Sequence, residues 1–120
     1  MQYALLFYNP PHTRIPESER EATLGQMLEQ MAAWNEELRR AGVFRTGLRL
    51  APVDAATSLR AQGSDVLVTD GPFAETKEIL GGLVVLECAD LDEALAWARK
   101  CPLTRAGTVE VRPEWGAARA

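Results

Sequence analysis

Residues 70–78 read Asp-Gly-Pro-Phe-Ala-Glu-Thr-Lys-Glu and separate two apolar runs, at residues 66–68 and 83–86. Asp-Gly-Pro is a turn signal, because glycine reaches positive φ and proline fixes its own φ and restricts the residue before it. Three charged residues fall within four positions of the second half, which is unusually polar for a connection between two buried strands. The pattern predicts a turn, followed by polar side chains just before the second strand begins.

The segments on either side of this stretch have the pattern of β-strands. Residues 57–62 and 65–69 predict two short strands around Gly63-Ser64, and glycine at the first turn position suits a type II′ hairpin. The apolar run of residues 83–86 predicts a buried strand over residues 83–88. The polar stretch would therefore connect a hairpin to a strand.

The chain before the hairpin begins with a strand and a long helix. Residues 3–8 are apolar throughout, which is typical of a central strand buried on both faces. Ser18 and Glu21 have the spacing of a capping box, and the helix that they predict runs for about six turns to Gly42, the expected C-cap. Its apolar stripe repeats every three or four residues and consists of Leu24, Met27, Leu28, Met31, Trp34, Leu38 and Ala41.

A half-buried strand is predicted after this helix, because residues 44–50 alternate with a period of two. Phe44, Thr46 and Leu48 would face the core. Arg45 and Arg49 would face solvent.

The last part of the chain predicts a helix and a final strand. Asp90 and Glu93 form a second capping-box candidate, and Pro102 ends the helix that follows. Residues 108–112 alternate as a strand does. The predicted class is α+β, and once the inserted β-hairpin is set aside the order is the ferredoxin-like βαββαβ plan.

Length and composition exclude several classes of protein. A chain of 120 residues with a net charge of −4 predicts one domain over residues 1–113, a C-terminal tail over residues 114–120, and no nucleic-acid partner. No apolar stretch approaches the roughly 18 residues of a membrane span, and no signal-peptide pattern is present, so we expect a cytoplasmic protein with no membrane partner. Cys88 and Cys101 bracket a predicted helix about 16 Å long, which is too long for a disulfide, so free thiols are expected.

The polar stretch also carries a resemblance to a known family. This stretch resembles the signature of the DGPF-domain family, also called YCII-related proteins. The residues that carry the resemblance are Asp70-Gly71-Pro72-Phe73, followed by Glu75, Lys77, Glu78 and Gly81-Gly82. The similarity extends over most of the chain. It implies that the sheet packs against a partner's sheet, so that a homodimer forms a dimeric α/β barrel. The resemblance extends to muconolactone isomerase-like and monooxygenase-like barrels, which work without a metal or a tightly held cofactor. It therefore implies no metal and no cofactor for this chain.

Strand directions predict a site at one end of the sheet. In a ferredoxin-like sheet the first strand ends at the same end of the sheet where the strand of residues 83–88 begins. His12 follows the first strand and Asp70 precedes the later one, so the two residues should lie near each other. Asp70 is the candidate general acid or base, because a carboxylate held beside an apolar strand is partly desolvated. Alternatively, Asp70 bonds the backbone of its own turn. His12 either pairs with Asp70 and acts as a base or is a solvated loop residue.

Four further residues complete the predicted site as substrate contacts, namely Phe73, Glu75, Lys77 and Arg105. Glu75 would orient a polar group, and Lys77 would bind an anion or stabilise a developing negative charge. An ion pair that closes the loop is the alternative for these charges. Phe73 would also anchor the turn, and Gly81-Gly82 would allow a bulge or the close approach of another backbone.

The sequence leaves two functions open. One is a small-molecule enzyme that uses Asp70 as general acid or base in a barrel cleft. The other is a non-catalytic ligand-binding or transcription-associated regulatory homodimer, as the family resemblance also implies. No cofactor or metal is expected, because the chain lacks a glycine-rich phosphate pattern, and one histidine with scattered carboxylates has no metal-ligand spacing.

Overall fold

Apolar segments separated by turns fold into a four-stranded antiparallel sheet with two helices on one face. The computed structural model describes residues 1–10, 16–72 and 77–116. The helices and strands are β1 (Gln2–Asn9), α1 (Glu17–Arg40), β2 (Phe44–Arg49), β3 (Thr57–Gln62), β4 (Asp65–Asp70), β5 (Ile79–Glu87), α2 (Leu91–Arg99) and β6 (Thr108–Pro113). The sheet order is β2-β5-β1-β6, and β3 and β4 form a separate two-stranded sheet. The ferredoxin-like βαββαβ plan with an inserted hairpin is therefore confirmed.

The core lies between the two helices and one face of the sheet. Leu5, Leu38 and Leu86 are fully buried there, and the rings of Phe7 and Trp34 meet edge to face at a centroid distance of 6.0 Å. Along β1, buried side chains alternate with half-buried ones on the outer face. The prediction that β1 is buried on both faces is wrong for the single chain. Both helices pack on the same side, and no described element covers the other.

Helix α1 begins earlier than the predicted cap. Its N-cap is Pro16, which makes no side-chain hydrogen bond, so the capping box of Ser18 and Glu21 is wrong. Proline fixes its own φ, here at −53°, and the helix can begin directly after it at Glu17. The predicted end is confirmed, because Gly42 follows the last turn with a φ of +75°, which glycine adopts without strain.

Strand β2 contains a bulge at Arg45. Phe44 lies on the core side, but the pairing with β5 then shifts so that Thr46 is opposite Val85 and Arg45 has no partner in the ladder. Arg45 Nη1 donates to the carbonyls of Gly42 and Phe44, both at 3.1 Å. These bonds hold the extra residue in place.

The bulge reverses the predicted faces of the rest of β2. Arg49 is opposite Gly82 and lies on the core side, whereas Leu48 is opposite Leu83 on the outer side and is 56% exposed. The prediction that Leu48 faces the core is therefore wrong, and Arg49 lies on the core side of the sheet while remaining exposed at its edge. The strand is also less buried than predicted, because β2 is at the edge of the sheet.

The paired glycines of β5 have the structural roles predicted for them. The register between β1 and β5 shifts after Phe7, which leaves Gly81 as the unpaired residue of a bulge. A Cβ on Gly82 would lie only 2.8 Å from the Leu48 carbonyl oxygen. Strand β5 includes both glycines and begins at Ile79, before its predicted start at residue 83.

The hairpin of β3 and β4 extends away from the main sheet. Gly63 has a φ of +63° and Ser64 has a negative φ, as expected for a type II′ turn. Three apolar side chains remain in solvent, with Leu59 64%, Val66 60% and Val68 59% exposed. The radius of gyration is 16.6 Å, whereas a compact chain of this length is expected to have about 14 Å. The hairpin therefore adds surface to the domain without adding to its core.

Helix α2 begins at its predicted cap. Asp90 Oδ1 accepts the Glu93 N–H at 2.9 Å, and the Glu93 carboxylate accepts the Ala89 N–H at 3.3 Å. The predicted Asp90 cap is therefore confirmed, and Glu93 reaches back to the residue before the cap instead of to Asp90 itself. Among the residues that the structure describes, neither this helix nor α1 is long and apolar enough to cross a membrane.

Candidate functional site

A cleft of about 410 Å³ lies between helix α1 and the sheet, on the β2 side of the core. Helix α1 forms one wall, and β1, β2 and β5 form the other. Apolar side chains that line it include Leu24, Met27, Leu28, Met31, Phe7 and Val84. Its size and apolar walls are typical of sites for small organic molecules.

Two glycines form part of the floor of this cleft. Gly47 of β2 and Gly82 of β5 lie on the core side of the sheet and line the open space. A Cβ on Gly47 would lie 3.2 Å from a Val84 methyl group, and one on Gly82 would approach the β2 backbone. Because the strands pack closely here, side chains are excluded and the floor stays flat.

Asn9 lies at the end of the cleft where β1 ends. Its Oδ1 is buried and has no hydrogen-bond partner among the described residues. Glycines make room for the amide, because a Cβ on Gly81 would lie 3.0 Å from Nδ2 and one on Gly107 would lie 2.9 Å from Oδ1. Sequence reasoning missed Asn9, since an asparagine that ends a strand is ordinary. The only available signal was the glycine pair on the strand that lies beside it.

Arg39 and Arg49 are the charged residues of the described cleft wall. The Arg39 guanidinium lies over the Phe44 ring, 4.5 Å from its centroid. Arg49 reaches the wall because the bulge at Arg45 turns it to the core side. Neither Arg39 nor Arg49 forms an ion pair with a described residue. The described wall is therefore positively charged, although the net charge of the chain is −4.

Asp70 ends β4 in a turn that is held by backbone atoms. Gly71 has a φ of +93°, its N–H donates to the Ala56 carbonyl at 2.7 Å, and its carbonyl accepts the Ser58 hydroxyl at 2.7 Å. The Asp70 carboxylate is exposed, makes no hydrogen bond within the described part of the chain, and does not line the cleft. Neither a bond to its own turn nor a place in the cleft wall is seen.

The structure does not bring the other predicted contacts into the cleft. Lys77 and Arg105 are exposed and lie outside its described wall. Glu78 accepts the Thr108 hydroxyl, at 3.0 and 3.2 Å to its two oxygens, which joins the start of β5 to the start of β6. Three predicted site residues lie outside the described residues, namely His12, Phe73 and Glu75.

The two cysteines are buried free thiols on the covered side of the sheet, in agreement with the sequence. Burial raises the pKa of Cys101 to about 11. Burial, together with the neighbouring Glu93 carboxylate, raises the pKa of Cys88 to about 11. Both groups are therefore protonated at neutral pH and are weak nucleophiles. Across residues 1–10, 16–72 and 77–116, no cluster of three potential metal ligands is found.

Comparison with known proteins identifies a family. An uncharacterised protein of Rhizobium meliloti (strain 1021) is 39% identical over 117 residues, covering 94% of this chain and 91% of the relative. A solved structure of 5-chloro-2-hydroxyhydroquinone dehydrochlorinase from Burkholderia phenoliruptrix AC1100, in complex with 2,5-dihydroxybenzoquinone, is 15% identical, with a TM-score of 0.49 and coverage of 95% of this chain and 93% of that chain. A likeness at this score carries no argument about chemistry. The model of the YCII-related domain matches residues 1–115, and the chain belongs to the YCII-related domain family.

Proposed function

We propose that this YCII-related domain binds a small molecule in the cleft between α1 and the sheet. The observation that carries the proposal is Asn9, which lines the cleft and whose buried Oδ1 has no partner among the described residues. Buried polar atoms are nearly always hydrogen-bonded, and leaving one unpaired costs about 1–3 kcal/mol. A small turn of the Asn9 amide would bring Oδ1 to the cleft, and a ligand that donates a hydrogen bond to it would remove this cost. The apolar walls would bury the rest of the ligand.

Filling the cleft tests this proposal. Leu28 is 43% exposed on the cleft wall, and Leu91 is 47% exposed on α2, outside it. Leu28→Trp would occupy the cleft without changing the buried core, and Leu91→Trp is the matched control. After incubation with a metabolite extract, native mass spectrometry should detect a bound small molecule on the wild type and the control, but not on Leu28→Trp. Equal retention by Leu28→Trp, or no retention by the wild type, would contradict the proposal.

A homodimer formed through the outer face of the sheet is the assembly that we propose for this domain. Leu6, Leu83 and Val85 lie on that face and are half-buried, and the bulge in β2 adds Leu48 to them. No described element of the chain covers these side chains. Soluble monomers rarely leave a continuous apolar patch uncovered, and a second copy packed sheet to sheet would cover it. The exposed apolar side chains of the hairpin support the same assembly.

Sedimentation velocity tests the dimer. The wild type should sediment as one dimeric species at micromolar concentration. Val85→Lys places a charge in the centre of the proposed interface and should give a monomer, because burying an unpaired charge is costly. Leu91→Lys, on the helix layer, should remain a dimer. A single monomeric species for the wild type would refute the dimer without affecting the cleft.

Catalysis by Asp70 is a second candidate function. The hydrogen bonds that hold the turn are made by other groups, and the Asp70 carboxylate makes no hydrogen bond to a described residue. This favours a catalytic role for the carboxylate. A carboxylate that is held in position but unpaired suits general acid–base chemistry. Since Asp70 does not line the described cleft, its substrate would have to bind at the turn that ends β4. Asp70→Asn should abolish turnover by the protein and leave ligand binding in the cleft unchanged. Asp65→Asn, at the other end of β4, is the control. Full conversion by Asp70→Asn would remove Asp70 from the mechanism.

A further inference from the structure

We infer that the ligand of the cleft is a hydroxylated aromatic carboxylate, with its carboxylate on Arg49 and its hydroxyl on Asn9. This inference rests on the ligand-binding function proposed above and adds the chemical class of the ligand. It follows from the charge of the wall, from the relative positions of Arg49 and Asn9, and from the side chains that lie between them.

The charge of the cleft wall favours an anion. The charged residues in its described part are Arg39 and Arg49, and no acidic residue lines that part. The chain as a whole has more carboxylates than cations, yet neither arginine forms an ion pair with a described residue. Cations that line an apolar cleft raise the local concentration of anionic ligands.

Arg49 is better placed than Arg39 to bind the anion. The Arg39 guanidinium lies over the ring of Phe44, which occupies one face of the guanidinium. Arg49 is directed to the cleft by the register of β2 and lies opposite Gly82, which has no side chain to cover it. A guanidinium presents two parallel N–H groups that match the two oxygens of a carboxylate.

Asn9 supplies the second polar contact of the site. Arg49 on β2 and Asn9 on β1 are separated by β5, and two strand spacings place them at least about 10 Å apart. Arg49 lies opposite Gly82 and Asn9 opposite Ile79. The β5 residues that line the cleft between them are Gly81 and Gly82, so this part of the floor carries no side chain. The Asn9 Oδ1 is a covered acceptor, and a small turn of the amide toward the cleft would let it accept from a donor such as a hydroxyl group.

The side chains above this floor suit an aromatic ring. Met27 and Met31 line the cleft from α1, and Phe7 lines it from β1. Thioether sulfur makes favourable contacts with aromatic rings, and methionine adapts its shape to a flat ligand. A ring that carries a carboxylate at one end and a hydroxyl at the other would therefore use the cation, the apolar walls and the unpaired acceptor together.

Titration with three simple compounds tests the carboxylate and the hydroxyl separately. The probes are 4-hydroxybenzoate, its neutral analogue 4-hydroxybenzamide, and benzoate, which lacks the hydroxyl. The methyl NMR signals of Met27 and Met31 report occupancy of the cleft. We expect 4-hydroxybenzoate to bind at least about tenfold more tightly than either analogue, because a charge-assisted pair and a satisfied buried acceptor each contribute that much.

Variants assign these differences to residues. Arg49→Gln should weaken binding of 4-hydroxybenzoate by about tenfold but leave binding of 4-hydroxybenzamide unchanged. Arg105→Gln, an arginine outside the described cleft wall, should leave both affinities unchanged. Asn9→Ala should abolish the preference for 4-hydroxybenzoate over benzoate.

The outcomes separate this inference from the function on which it rests. Equal affinities for the acid and the amide, with shifts of both methionine methyls, would overturn the carboxylate class and leave the cleft a ligand site. Equal affinities for 4-hydroxybenzoate and benzoate would overturn the hydroxyl contact. If millimolar concentrations of all three compounds left the methyl signals unchanged, the ligand class would be refuted, and the comparison of Leu28→Trp with Leu91→Trp would decide ligand binding independently.

Discussion

Strands β4 and β5 both contain a continuous apolar run, but their side chains are buried to very different extents. In β4, Val66, Leu67 and Val68 are 60%, 43% and 59% exposed. In β5, Val84 and Leu86 are 2% and 0% exposed. Two helices of the chain cover one face of β5, whereas no described element covers β4. The two runs therefore differ in what covers them and not in their apolar character.

This difference separates two contributions of apolar residues in the domain. Those of β5 stabilise the fold, because their burial removes apolar surface from water within one chain. Those of the hairpin contribute little to the fold of a single chain, and their role requires contact with something outside it. Substitutions in the two strands should therefore have different consequences.

The largest expected effect comes from truncating the covered strand. Leu86→Ala should lower the free energy of unfolding by about 2–5 kcal/mol, because it removes a fully buried side chain and leaves a cavity. Leu59→Ala, in the hairpin, should change it by less than about 0.5 kcal/mol when measured on dilute monomer. Denaturant unfolding gives both values. Similar losses for the two variants would break the comparison.

A smaller effect is expected where β5 lies against β2. Gly82→Ala should cost about 1–3 kcal/mol, because its Cβ would lie 2.8 Å from a backbone oxygen of β2. Gly25→Ala is the control, since no atom lies within 4 Å of its Cβ position, and it should stabilise the helix by about 0.5–1 kcal/mol. Thermal unfolding measures both changes. A neutral Gly82→Ala would mean that the two strands are less tightly packed than described.

The cover of β5 can also be weakened from the helix side. Asp90→Ala removes the side chain that caps α2 and should cost about 1 kcal/mol. Ser18→Ala should have no comparable effect, because α1 begins before Ser18 and makes no side-chain cap. Equal losses on chemical denaturation would restore the capping box that the structure rejects at α1.

The last expected effect is on the pH dependence of stability, and it is zero at neutral pH and appears only in alkali. Burial raises the thiol pKa of Cys88 and Cys101 from about 9 to about 11 in the folded chain. Since the unfolded chain releases these protons first, stability should be unaffected below about pH 9 and should fall between about pH 9 and 11. Unfolding measured across this range should show the fall in the wild type. The double variant Cys88→Ala/Cys101→Ala should lack this component, and an identical profile would contradict the assignment.

Most of the fold could be predicted because its signals are local. The period of the apolar residues predicts α1, α2 and the strands, and Gly42, Gly63 and the Asp90 cap predict where segments end or turn. The faces of β2 could not be predicted in this way. One residue in a bulge reverses the alternation that follows it, and the hydrogen bonds that hold the bulge are made with Gly42 of the preceding turn and with Phe44 at the start of the strand.

The candidate site was less predictable than the fold. Asp70 and Lys77 are conspicuous because charges next to an apolar run are unusual, yet neither lines the described cleft. The cleft is built from residues that are ordinary in sequence, such as the strand-ending Asn9 and the glycines of its floor. Their common position depends on the register of three strands, and register is a property of the folded sheet.

The bulge at Arg45 makes the properties of β2 depend on whether one residue pairs with β5. If Arg45 paired with Val85, simple alternation would return, which would move Arg49 to the outer face and Leu48 into the cleft. This slip of one residue would thus remove a cation from the ligand site and at the same time place it in the proposed dimer interface. Deletion of Arg45 would instead close the bulge and leave both side chains on their present faces. The two surfaces of this strand are therefore coupled, and a change of register alters ligand choice and self-association together.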